Sequence, residues 1–174
     1  MSMREGVRLA LDWGSARIGV AVCDRSAILA FPVATLANSP DVWDALARLV
    51  VEYEPFEVLV GLPVALSGRE ELAATAVAQV ALDIAARVDP VRVRLVDERM
   101  SSVAAHRSLA SAGRGSRARR AVIDQAAAVA ILEHALTFEQ LTGTPPGRLV
   151  DAGTRRQEQS EPAAGPTTDV RTPE

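Results

Sequence analysis

The sequence predicts an α/β fold, a mixed sheet flanked by helices and opened by a β-hairpin. Three observations predict it. Two apolar runs, Val7 to Leu11 and Ile18 to Cys23, flank the tight glycine-containing segment Trp13-Gly14-Ser15-Ala16-Arg17, the pattern of an antiparallel strand pair. Two later apolar runs, Val58 to Gly61 and Val91 to Val96, each follow a segment of helical periodicity. Such strand–helix–strand steps impose right-handed parallel crossovers. The chain has 174 residues and is 48% hydrophobic, enough for one sizeable core and short of two ordinary domains.

The elements follow in order. Asp12 ends the first strand and Asp24 the second, and a third short strand covers Ala30 to Ala34. Ser39-Pro40-Asp41 reads as a helix start: serine as N-cap, proline at the first helical position, an acid in the first turn. Val42, Leu46, Leu49, Val50 and Tyr53 keep helical spacing until Pro55 stops it. After the strand at Val58, a loop from Leu62 to Gly68 leads into an alanine-rich helix from about Glu70 to Val88. The strand ending at Val96 is followed by Asp97-Glu98, then by a helix capped at Ser101 or Ser102 and running to Gly113. After an arginine-rich loop, Ala121 to Leu141 forms the last apolar helix. That is five strands. From Thr144 the composition turns to Pro, Gly, Thr, Arg and Glu, and no aromatic follows Phe138. Residues 1–147 are therefore expected to form the domain, and residues 148–174 a disordered tail that buries too little apolar surface to offset its ordering entropy.

Charge and composition narrow the function. The net charge of -3 argues against a protein that coats nucleic acid generally. All 19 basic residues are arginine, and six of them fall between Arg99 and Arg120 with no acid among them. An acidic chain with one basic segment has a local anion-binding surface. No run approaches the roughly 18 to 20 uninterrupted apolar residues of a membrane span. Met1 to Val7 lacks the apolar region of a secretory signal. The single cysteine, Cys23, reads as a small buried hydrophobe. The expectation is a cytoplasmic chain with no membrane partner.

Three acids hold informative positions: Asp12 at the end of the first strand, Glu98 after the last, Asp124 in the first turn of the final helix. Sites in open sheets gather where strand ends meet helix starts. Three carboxylates gathered there would repel unless cations sat between them, and oxygen-only ligands suit Mg²⁺ or Mn²⁺. Two such ions clamp the attacking and leaving oxygens of an in-line phosphoryl displacement. Each acid also has a plain structural reading: Asp12 as a turn cap, Asp124 as a helix N-terminal acid, Glu98 as a surface partner of Arg94 or Arg99. Gly14 and Gly19 allow a close approach of backbone to phosphate or metal, or only tighten the hairpin. Arg17 lies within reach of a phosphate or is a solvated charge. His106 and His134 have no spacing partner for zinc. Trp13 and Trp43 are better read as packing than as a base-stacking platform.

Four segments in order carry a resemblance. Asp12 to Asp24 resembles the opening Asp-x-Gly-x-x-(Lys/Arg)-(Ile/Val)-Gly motif of the YqgF/RuvX family. Val60-Gly61-Leu62-Pro63 with Ser67-Gly68 resembles its central loop, Asp97-Glu98-Arg99-Met100-Ser101-Ser102 its third motif, and Ile123-Asp124 with Ala126-Ala127 and Ile131-Leu132 its closing helix. Val64-Ala65-Leu66 departs from the more polar loop common in the family. The resemblance implies an RNase H-like fold with Asp12, Glu98 and Asp124 as catalytic and metal-binding acids. It implies dependence on Mg²⁺ or Mn²⁺ and a structured nucleic acid as substrate. Arg17, Arg99, Arg114, Arg117, Arg119 and Arg120 would bind its phosphates. The implied activity is nuclease action in maturing the 5′ end of pre-16S rRNA. The alternative is Holliday junction resolution, which needs a two-fold homodimer for two symmetric cuts. A non-catalytic nucleic-acid-binding module is a third reading. A sugar-kinase or actin-type ATPase is disfavoured, because it needs two such domains around its cleft.

Overall fold

The computed structural model describes residues 3–63, 68–97 and 117–151. Strands β1 (Arg8–Trp13) and β2 (Arg17–Cys23) form the opening hairpin, and β3 (Ala30–Ala37) follows. Helix α1 (Val42–Tyr53), β4 (Glu57–Leu62), α2 (Gly68–Val88), β5 (Arg92–Asp97), α3 (Arg117–Thr142) and a two-residue β6 (Arg148–Leu149) complete the described elements. The sheet order is β3-β2-β1-β4-β5-β6. β1 pairs antiparallel with β2 and parallel with β4, and β4 pairs parallel with β5. The expected mixed sheet is thus present, with one strand more than the five read from sequence.

The extra strand lies just past the expected domain limit of 147. β6 pairs antiparallel with β5, Val150 donates its N–H to Val93 O at 2.8 Å, and Gly147 turns the chain at φ +63. Two residues are too few for a periodic signal, so the pairing left no trace in composition. Other boundaries moved modestly. β3 runs to Ala37, with a register shift opposite Val20/Ala21, and Pro32 is tolerated because β3 is an edge strand. α1 starts at Val42 with Asp41 as N-cap, so Ser39 and Pro40 belong to the preceding turn. α3 starts at Arg117, four residues before the expected Ala121, because arginine and alanine both favour helix, so Asp124 lies two turns in and not in the first turn as expected. The helix expected from Ser101 to Gly113 lies outside the described residues, as do residues 152–174.

Strand alternation sorts the core into two layers. Leu9, Leu11, Ile18, Val20, Val58, Val60, Val93 and Leu95 pack with α1 and α2 on one face. Ala10, Ala21, Cys23, Leu59 and Val96 pack on the other face against Ala127, Ala128, Ile131, Leu132, Ala135 and Leu136 of α3. Residues 120–142 of α3 are long and apolar enough to cross a membrane by length and composition alone. This helix covers the sheet instead, through that one apolar stripe. At the far end from the loops, Arg8 opens β1 opposite Glu57 of β4, both fully buried. Glu57 accepts hydrogen bonds from Arg4 and Arg94, while Glu139 of α3 accepts from Arg4 at 2.6 Å and Arg8 at 2.9 Å. Phe56 lies under the Arg4 and Arg8 guanidinium groups, at 5.3 and 4.7 Å. Cys23 is buried beside them and accepts the N–H of Arg8 at 3.2 Å.

Candidate active site

The alternation that builds the core also aims the acids. Ala10 of β1 faces α3, so Asp12, two residues on, faces α3 as well. It is buried, with only 6% of its surface exposed. Its register partner on β2 is Gly19. A side chain at position 19 would point to the same face, and its Cβ would lie 1.9 Å from the carbonyl oxygen of Asp124. Glycine there is the seat that lets the first turns of α3 settle onto the hairpin. Thr35 of β3 fixes the same turns, donating to Ala121 O at 3.0 Å and accepting from Gln125 at 3.2 Å. These contacts carry Asp124 to the neighbourhood of Asp12.

Both acids line one cavity of about 570 Å³, together with Trp13, Gly14, Ser15, Arg17 and Asn38. Its opposite wall is apolar and comes from Ala73, Ala76, Val77 and Val80 of α2. Gly14 closes the hairpin turn, where an added Cβ would meet Arg17 O at 2.5 Å, and Asn38 braces that turn by donating to Gly14 O at 2.9 Å. Arg17 also lies on the α3 face of β2. Its Nε donates to Asp124 Oδ2 at 2.6 Å.

The remaining predicted site residues divide. Glu98, Arg99 and Arg114 lie outside the described residues, as does Val64-Ala65-Leu66. Arg117, Arg119 and Arg120 sit in the first turn of α3 rather than in a loop, and Arg120 is exposed. Asp97 closes β5 on the face of Val93 and Leu95, away from Asp12. Trp13 packs with Trp43 at a ring separation of 5.6 Å, and Arg87 lies over Trp43, so both tryptophans belong to the core layer. His134 is partly buried on α3, and His106 lies outside the described residues. The sequence reading missed Thr35 and Gln125. It took Gly19 for a phosphate approach or a turn, not for a helix seat. The signal available was the motif spacing itself, a glycine in mid-strand where no turn needs one.

Among the described residues no three His, Cys, Asp or Glu side chains converge closely enough to hold a metal ion. The two acids that do share the cavity fit a hard divalent cation, since their donors are all oxygen.

A mixed sheet opened by a hairpin, with a carboxylate at the end of its central first strand sharing a cavity with another two turns into the covering helix, defines an RNase H-like domain with a candidate phosphoryl-transfer site. The chain belongs to the RuvX family: the family model described as "RuvX: Holliday junction resolvase" matches residues 6–137. A relative from Cutibacterium acnes, named as a candidate pre-16S rRNA nuclease, is 57% identical over 131 residues, covering 75% of this chain and 82% of the relative. A relative of the same name from Thermobifida fusca is 51% identical over 156 residues, covering 86% of this chain and 98% of the relative. Among solved structures, T. thermophilus RuvC in complex with a Holliday junction substrate shares the fold at a TM-score of 0.53 and 18% identity, covering 83% of this chain and 99% of that one.

Proposed function

We propose that this chain is a divalent-metal-dependent nuclease that hydrolyses phosphodiester bonds of structured nucleic acid, and that its task is processing the 5′ end of pre-16S rRNA in the cytoplasm. The observation that carries this is the meeting of Asp12 and Asp124 on one cavity, set there by the Gly19 seat. Asp12, Asp124 and Glu98 would hold Mg²⁺ or Mn²⁺, which when bound supplies an activated water and stabilises the leaving oxygen. The chain's own residues supply the rest. Buried Asp12 and the α3 face fix the ligand oxygens, and α2 gives the cavity an apolar wall. Arg17, Arg99, Arg114, Arg117, Arg119 and Arg120 give the backbone phosphates cationic partners. The names of the relatives from C. acnes and T. fusca favour rRNA.

The description of the matched family favours a second reading, resolution of Holliday junctions by a two-fold dimer. One experiment separates them: cleavage of a precursor rRNA fragment and of a four-way junction, in Mg²⁺ and in Mn²⁺, with the solution mass measured. Cleavage of the rRNA fragment by a monomer supports the first reading. Symmetric junction cutting by a dimer supports the second. No cleavage of either by a folded, metal-loaded protein overturns both.

A further inference from the structure

The Arg17–Asp124 pair is committed on one side only. Nε of Arg17 takes Oδ2 of Asp124, and among the described residues no further hydrogen bond engages the guanidinium terminal nitrogens or Asp124 Oδ1. Both side chains are partly open, 32% and 23% exposed, and both line the cavity shared with Asp12. A divalent ion held by Asp12 and Asp124 would claim the negative charge that Arg17 now neutralises. The two cations repel each other, and a carboxylate shared between them holds each less firmly than it would hold either alone. The displaced group is not lost to the site. It stays tethered to β2, and a guanidinium fork matches the oxygens of a phosphate.

We propose that Arg17 is the resident counter-ion of Asp124, competing with the divalent metal for that carboxylate and passing, once displaced, to a phosphate of the nucleic acid. Metal and nucleic-acid backbone then bind cooperatively through one side chain. Each raises the other's affinity, because coupling between two ligands is reciprocal. This rests on the nuclease reading above.

Mn²⁺ binding to the full-length chain, measured by calorimetry or electron paramagnetic resonance, tests it without any turnover. Arg17→Gln should bind Mn²⁺ about two- to five-fold more tightly than wild type, the range that a partly exposed ion pair contributes. Arg17→Lys, which keeps a cation, should stay near wild type. A non-cleavable phosphorothioate nucleic acid should tighten Mn²⁺ binding in wild type and do so less in Arg17→Gln. The Nε–Hε nuclear magnetic resonance signal of wild-type Arg17 should shift and lose protection as Mg²⁺ is added, a readout needing no substitution. Equal or weaker Mn²⁺ binding by Arg17→Gln, with Asp12→Asn and Asp124→Asn both weakening it, would overturn the counter-ion role and leave the nuclease reading standing. An Nε–Hε signal unmoved at saturating Mg²⁺ would overturn it too. If neither Asp12→Asn nor Asp124→Asn changes Mn²⁺ binding, the metal reading fails and the counter-ion role falls with it.

Discussion

Asp12→Asn and Asp124→Asn keep side-chain shape and remove one charge each. Both should preserve the fold and metal-free nucleic-acid binding while lowering cleavage by orders of magnitude, and Glu98→Gln should do the same. The triple variant should be scarcely worse than any single one, since residues acting as a unit are not additive. Asp97→Asn is the control. Its residue shares the face of Val93 and Leu95, so cleavage should fall far less, and an equal fall would move the ligand assignment by one position. Gly19→Ala probes position rather than charge. The new Cβ would meet the Asp124 carbonyl, α3 would have to lift, and stability should drop by about 1–3 kcal/mol in denaturant unfolding. Cleavage should drop more than that loss of folded protein explains. Asp12 and Asp124 were legible as candidates because one ends a strand, the other lies near the beginning of a helix, and both fall within the motifs. The role of Gly19 was not legible, because the helix it receives starts almost a hundred residues further along the chain.

The start of α3 presents Arg117, Arg119 and Arg120 in one helical turn that contains no acid. Alanine at all three should weaken binding to any sequence and reduce the salt slope by up to about one unit per lost phosphate contact. An unchanged slope in a salt titration would make the run a solvated helix end. The other end of α3 does different work. Burial acts to raise the Glu139 carboxyl, but hydrogen bonds from Arg4 and the charge of Arg8 outweigh it, and the group is held below its ordinary value. A carboxyl depressed in the folded state stabilises fully above its unfolded value of about 4.3, and the contribution fades as pH falls through the folded value. Glu139→Gln should cost about 3–5 kcal/mol at neutral pH, as breaking a buried pair does, and should flatten the acid limb of the stability–pH curve. A wild-type-like acid limb in thermal unfolding would deny the clamp that role. None of this clamp was legible. Charges scattered along a sequence give no sign of their partners, and only the fold brings together Arg8 and Glu139, 131 positions apart.

For the molecule as a whole, the sheet with its two covering layers was legible because periodicity changes cleanly between strands and helices. The sixth strand was not, because a two-residue pairing leaves no pattern. That strand sets where the chain can be shortened. Ending it after Asp151 should leave stability and cleavage nearly unchanged. Ending it before Arg148 removes the β5 pairing and the Val150 bond to Val93, and a lower melting temperature should separate the two truncations. The charged clamp has a consequence of another kind, for the order of events during synthesis. Arg8 begins a central strand and is fully buried, yet one of its carboxylate partners, Glu139, is made 131 residues later. A nascent chain that has emerged only as far as α2 would have to bury that guanidinium with half its counter-charge missing and one face of the sheet bare. The core therefore closes only once α3 has emerged, and until then the apolar α3 face of the hairpin has nothing to cover it.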